Sequence, residues 1–314
     1  MEQNDNSSRY MRRCLQLAAY GKGFTAPNPM VGAVIVHNDT IIGEGFHEKY
    51  GCSHAEVRAI ASVKDEKLLR NSTLYVNLEP CAHYGKTPPC ADLIMEKQIP
   101  RVVVGHEDPF PEVSGRGLKK LREAGIELVC GILEDECKEL NKRYLTYMLR
   151  HRPYIILKLA QSADGFIDQH REENDGKAPV KFSSAFPQML VHKIRAEESA
   201  IMVGTRTLRL DKPALTVRYW KGNNPERITV DSRQSLRQQV QTLYERKIQS
   251  LMVEGGAKLL QSFINENLWD EIQVEIAPFS LKSGVVAPTP GGVLQSVQKC
   301  ENSVFFHYKN SFNS

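Results

Sequence analysis

Hydrophobic positions along the chain switch between two spacings, and the switching predicts the architecture. In residues 9–21 (RYMRRCLQLAAYG), Tyr10, Cys14, Leu15 and Ala18 fall three or four apart and the pattern stops at Gly21, which predicts an amphipathic helix. The β-branched run MVGAVIV (30–36) and the segment IIGEGFH flank His37-Asn38-Asp39, which predicts a β-hairpin. Ala55, Ala59, Ile60 and Val63 return to helical spacing, and TLYVNLEPC follows as a strand ending on Pro80. A helix from about Ala91, the strand RVVVG, the helix GLKKLREAG, the strand IELVCG and one helix over 135–149 continue the alternation. Strands alternating with helices imply a parallel or mixed sheet covered on both faces.

The pattern restarts after His151-Arg152-Pro153, where proline forces its neighbour into an extended conformation. YIILKLA, IMVGT, RITVD, SLMVEGG and EIQVEIAP read as strands, and HKIRAEESA and AKLLQSFINEN as helices. A chain of 314 residues exceeds the usual size of one core, so we expect two α/β domains, 1–150 and 151–314. Neither an internal repeat nor a low-complexity stretch interrupts them.

Charge narrows the function classes. The balance of 41 basic against 37 acidic residues, with no block of like charges, does not suit a nucleic-acid track, but leaves room for a small anionic substrate. No apolar run approaches the ~18 residues of a membrane span, and the N-terminus has no signal-peptide core. A cytoplasmic protein is expected. Seven cysteines, an odd number, argue for thiols and a metal site over a disulfide framework.

The most specific chemistry is His54-Ala55-Glu56 at a helix start, with Pro80-Cys81 and Cys90 following later. One His and two Cys supply three ligands and leave a tetrahedral zinc one open position, where a water becomes acidic enough to act near neutral pH. Glu56, just past the His, suits the proton shuttle of a hydrolytic deaminase, as in the general H-x-E…P-C-x-x-C pattern of zinc deaminases. Here eight residues, AHYGKTPP, separate the cysteines instead of two.

That longer loop, with TAPNPMVGAVIV, GFHEKYGCSHAEVRAI and NLEPCAHYGKTPPC, strongly resembles the deaminase half of the bacterial riboflavin-biosynthesis deaminase/reductase family. The resemblance implies a cytidine-deaminase-like three-layer domain with one zinc ion on His54, Cys81 and Cys90. It also implies Glu56 as proton shuttle, and Asn28, His47, His83 and Lys86 as substrate contacts. Lys86 is a point charge suited to a phosphate, and Asn28 can both donate and accept.

RPYIILKLAQSADGFI, IRAEESAIMVGTRTLRLDKPALTVR, ITVDS, VEGGAKLLQSFI and LWDEIQVEIAP look like the reductase half of the same family, which implies a dihydrofolate-reductase-like fold using NADPH. By itself, VEGGAKLLQSF is a strand, two glycines and a helix start, a weak sign of a dinucleotide-phosphate site. By position, Ala160, Thr207, Asp211, Ser232 and the turn Gly255, Gly256, Ala257, Lys258, Leu259, Leu260, Gln261 and Ser262 would hold NADPH. Arg195, Leu215, Arg218 and Glu254 would face a phosphorylated pyrimidine ribosylamine. The two arginines suit a ribose phosphate. The resemblance also implies a homo-oligomer.

Two departures concern this half. Pro179-Val180-Lys181-Phe182-Ser183 stands where the family carries S-x-W-I-T, and the connection between Ser232 and Ser250 is short, so the sheet is expected to lack a strand there. Two other readings follow: a deaminase with a degenerate reductase domain, or a nucleic-acid-editing deaminase.

Overall fold

In the computed structural model, the described residues are 2–82, 88–109, 114–173 and 175–311. The chain divides into two compact units, Met1–Arg150 and His151–Ser314.

In the first unit, α1 (Glu2–Ala19) precedes the hairpin β1 (Gly32–His37) and β2 (Thr40–Phe46). Its turn residues Asn38 and Asp39 both have left-handed φ, +45° and +57°, a conformation these residue types tolerate. Then come α2 (Ala55–Ala61), a 3₁₀ turn, β3 (Thr73–Leu78), α3 (Cys90–Glu96), β4 (Arg101–His106), α4 (Arg116–Glu123) and β5 (Glu127–Cys130). The sheet order is β2-β1-β3-β4-β5. It is mixed: β1 runs antiparallel to β2 and β3, while β3, β4 and β5 are parallel. One face buries Ala59, Ile60, Ile94, Leu118 and Leu121 from the helices, and the other packs Met11, Cys14 and Cys137. The result is three layers.

The single helix expected over 135–149 is instead two, α5 (Glu134–Leu140) and α6 (Lys142–Arg150). Asn141 breaks it. Its buried amide accepts from Met30 N at 2.8 Å and donates to Met30 O at 2.9 Å, satisfying a backbone pair ahead of β1.

The second unit opens with β6 (Tyr154–Gln161) and β7 (Phe166–Asp168), then α7 (Ala185–Glu197), β8 (Ala200–Val203), α8 (Thr205–Asp211) and β9 (Glu226–Thr229). It continues with α9 (Leu236–Glu245), β10 (Ser250–Val253), α10 (Ala257–Asn265), β11 (Glu271–Ile276), β12 (Val285–Val286), β13 (Val293–Cys300) and β14 (Ser303–Lys309). The main sheet runs β13-β14-β11-β6-β10-β8-β9, and β12 pairs with β7 apart from it. From β11 to β9 every neighbouring pair is parallel.

The short connection between Ser232 and Ser250 contains a helix and no strand, leaving β9 as an edge of the sheet. Ser235 starts α9 with a capping box, accepting from Gln238 N while the Gln238 side chain accepts from Ser235 N. Leu236, Val240 and Leu243 then enter the main core, so the segment buries an apolar face without extending the sheet.

Candidate metal centre and cofactor cradle

The first site forms where two helix starts meet a strand end. His54 is the residue before α2, Cys90 is the first residue of α3, and Cys81 follows β3 after Glu79-Pro80. One donor atom each from His54, Cys81 and Cys90 lies within 4.8 Å of the others. His54 Nδ1 is 3.6 Å from Cys81 Sγ and 3.3 Å from Cys90 Sγ, which marks Nδ1 as the inward nitrogen. Typical zinc bond lengths in a tetrahedron put N and S about 3.6 Å apart, so this donor set fits zinc.

The three donors share protons. Hydrogen bonds from Cys90 and His54 hold the Cys81 thiol down at about 4, and the bond to Cys81 lifts His54 to about 9. The bond to Cys81 and burial hold the Cys90 thiol well above its ordinary range, and a divalent cation would displace such shared protons. Cys90 N donates to Cys81 Sγ at 3.3 Å, fixing one sulfur against the other helix.

Glu56 lies beside this cluster on α2, 3% exposed. Burial raises its carboxyl to about 6, and the Cys81 charge adds to the effect. Such a group exchanges protons readily near neutral pH. His54, Glu56 and Cys81 line one cleft of about 200 Å³ with Asn28, His47, Glu79, Asp108 and Tyr144.

His47 sits behind Asn28 in that cleft. Its Nδ1–H donates to Ser53 O at 3.2 Å, because a carbonyl only accepts, so Nε2 accepts from Asn28 Nδ2 at 3.1 Å. Both ring nitrogens are occupied. The imidazole thereby fixes the Asn28 amide, and both residues line the cleft. His83 and Lys86 lie outside the described residues.

Glu79 was not singled out from the sequence. Its Oε1 accepts from Gly117 N (2.9 Å) and Leu118 N (3.2 Å), and its Oε2 from Gly115 N (3.0 Å) and Asp108 N (3.3 Å). It thereby caps α4, whose N-cap Gly115 has no side chain to do so. Gly117 allows the approach, since a Cβ there would lie 2.0 Å from Pro80 O. The Tyr144 hydroxyl donates to Asp108 Oδ1 at 2.9 Å. The only sequence signals for these residues were the Glu-Pro-Cys run and the position of Asp108 just past a parallel strand.

In the second unit a backbone cradle forms after β10. Gly256 caps α10 without a side-chain bond. A Cβ on Gly255 would lie 2.8 Å from Leu259, and one on Gly256 would lie 3.3 Å from Thr207 Oγ1 on α8. A half-buried helix N-terminus lined by glycine suits a dinucleotide phosphate, so this cradle fits NADPH.

Comparison with known proteins now bears on both sites. Residues 4–106 match the cytidine and deoxycytidylate deaminase zinc-binding region, and residues 153–305 match the RibD C-terminal domain. The riboflavin biosynthesis protein RibD of Actinobacillus pleuropneumoniae is 36% identical, over 96% of this chain and 91% of that protein. The chain belongs to the RibD family. RibD of Aquifex aeolicus is 37% identical over 88% of each chain. A Thermotoga maritima crystal structure, titled a diaminohydroxyphosphoribosylaminopyrimidine deaminase/5-amino-6-(5-phosphoribosylamino)uracil reductase, superposes with a TM-score of 0.89. It is 32% identical and the match covers 98% of this chain and 99% of that one. This RibD-family chain is thus a riboflavin-biosynthesis enzyme with a deaminase domain and a reductase domain, and the expected fold pair is present.

Not every residue expected in the reductase domain of this RibD chain faces a ligand. Leu215 and Leu260 are 4% and 0% exposed, with their side chains in apolar cores, so only their backbones remain for contact. Ser262 Oγ donates to Lys258 O, and the Gln261 amide donates to Asn265, so both side chains are tied along α10. Asp211 is held by the Arg171 guanidinium, which also pairs with Asp168. Arg195 grips Glu254 bidentately at 2.7 and 2.6 Å. Ala160 lies on β6 and Ser232 is exposed beyond β9. Phe182 stacks on Phe279 with centroids 5.7 Å apart, so an aromatic pair lies beside the departed S-x-W-I-T position.

Proposed function

We propose that this chain hydrolytically deaminates 2,5-diamino-6-(5-phosphoribosylamino)pyrimidin-4-one and then reduces the ribosyl side chain of the resulting uracil to ribityl with NADPH. The observation that carries the first step is the convergence of His54, Cys81 and Cys90, with His54, Cys81 and buried Glu56 lining one cleft. His54 Nδ1 and the two thiolates would hold zinc, which when bound acts as a Lewis acid and makes water a better nucleophile. Glu56 would take one proton from the attacking water and pass it to the ring nitrogen, then carry the remaining hydroxyl proton to the departing amine so that ammonia leaves. Asn28, oriented by His47, meets the edge of the heterocycle. His83 and Lys86, outside the described residues, are the candidate contacts for ribose and phosphate.

For the second step, Gly255 and Gly256 with the first turn of α10, together with Ala160, Thr207 and Ser232, would receive NADPH, which supplies the reducing equivalents. Thr207 is close enough to the Gly256 backbone to share a phosphate with it. Arg218 lies exposed on the loop before β9 and suits the substrate's phosphate. The exposed Val293, Leu294 and Val297 on β13 fit a face covered by a second copy, and light scattering tests that assembly.

Mass spectrometry of the product formed by zinc-loaded protein with the diaminopyrimidine ribosyl phosphate and NADPH tests the whole reading. Accumulation of the ribityl uracil phosphate is expected. Stopping at the deaminated ribosyl compound would leave a deaminase alone, and unchanged substrate would remove both steps.

A further inference from the structure

Residues 212–225 join α8 to β9 without helix or strand, yet the second half of α7 fastens them at successive positions. His192, 2% exposed, accepts at Nδ1 from Arg218 N at 2.8 Å and from Tyr219 N at 3.5 Å. Backbone N–H groups only donate, so Nδ1 is bare and the ring proton sits on Nε2. The same ring meets Tyr219 edge-on at 4.8 Å. Lys193 lies over the Trp220 ring at 5.5 Å. Gly222 closes onto the helix so tightly that a Cβ would stand 2.6 Å from Ala196 Cβ.

Arg195 adds a second line of bonds. While its guanidinium grips Glu254, its NH1 donates to Thr216 O at 3.2 Å. The Thr216 hydroxyl in turn accepts from Arg218 NH1 at 3.0 Å. Arg218 is therefore held at its backbone by His192 and at its guanidinium by Thr216, while Arg195 already faces a carboxylate.

We propose that α7 is the platform that presents Arg218 to the substrate's phosphate, with His192 and Arg195 as positioning residues and Arg218 as the phosphate-reading group. The proposal rests on the reductase reading of this domain. Its new element is His192, whose ring holds the backbone of the loop that carries Arg218. A neutral imidazole is the right anchor, because losing the acceptor would leave the N–H groups of Arg218 and Tyr219 without this partner.

The test is the steady-state reduction of 5-amino-6-(5-phosphoribosylamino)uracil by the full-length zinc-loaded protein. Asn places Oδ1 where His192 has Nδ1, whereas Gln places its carbonyl one bond farther out. His192→Gln is expected to raise the KM for this substrate about tenfold at unchanged kcat and unchanged KM for NADPH. His192→Asn should stay within about twofold of wild type. Gly222→Ala pushes the loop off α7 from the other side, so it should reproduce the KM effect even if His192→Gln does not fold. Wild-type KM in both His192→Gln and Gly222→Ala, or a fall in kcat at constant KM, overturns the proposal. A wild-type protein that does not oxidise NADPH with this substrate instead defeats the reductase reading on which it rests.

Discussion

The two domains place their chemistry at the same kind of structural feature, the start of a helix beside a mixed sheet, but use it differently. In the deaminase domain the helix starts carry reactive side chains: His54 before α2, Glu56 in its first turn, and Cys90 opening α3. In the reductase domain α10 starts on Gly256 and offers backbone, while the nearby charged side chains are paired with one another, Arg195 with Glu254 and Arg171 with Asp168 and Asp211. The difference follows from where the reactive group resides. Hydrolysis needs the protein's own proton carrier and metal ligands, whereas a reduction driven by a bound cofactor needs shape and fixed charge.

The sharpest way to break this comparison is Glu56→Gln. Deamination should fall by about 10²–10⁴-fold while zinc content, measured by elemental analysis, stays at wild type. Reduction of substrate supplied already deaminated should not change. If both steps fell together, the division of labour between domains would be wrong.

Glu79→Gln probes the frame of the first site. The amide cannot accept on both arms, so N–H groups among Asp108, Gly115, Gly117 and Leu118 lose their partner. The deaminase-domain unfolding transition should lose about 2 kcal/mol, read by thermal or urea denaturation, with the reductase-domain transition unmoved. Gly256→Asp probes the cradle. A carboxylate capping α10 would occupy and repel the phosphate position, raising the NADPH dissociation constant on the order of tenfold by fluorescence titration without altering deamination.

The smallest effect is a pH dependence. Burial lowers the His192 pKa below its ordinary 6.5, with Arg195 and Arg218 reinforcing the shift and Glu254 opposing it. The folded state therefore favours the neutral ring. The anchoring it gives is full above 6.5 and is lost as pH falls through the lowered folded value. The KM of the reductase step should rise on the acid side while deamination follows a different profile. Parallel pH profiles for both steps would count against His192 as the anchor.

Legibility in the sequence followed the same division. His54, Glu56, Cys81 and Cys90 stood out because side-chain chemistry needs particular residue types, and the structure gathers them. The contacts of His47, Arg195 and Leu215 were not legible, because each depends on a partner elsewhere in the chain. His47 is saturated by Asn28 and Ser53, Arg195 by Glu254, and Leu215 points into a core with Met252. Glu79 and His192 escaped notice because their partners are backbone N–H groups, which no residue type advertises.

By itself the sequence determined the alternation of strands and helices, the break near Pro153, and the candidate metal ligands and proton carrier. These depend on local periodicity and residue chemistry. Only the tertiary structure decided that Asn141 splits a helix to serve Met30, that α9 buries Leu236, Val240 and Leu243 in the main core, and which charged groups are paired. Those outcomes rest on satisfying buried polar groups across the fold, a requirement set by which segments meet in space and not by their order along the chain.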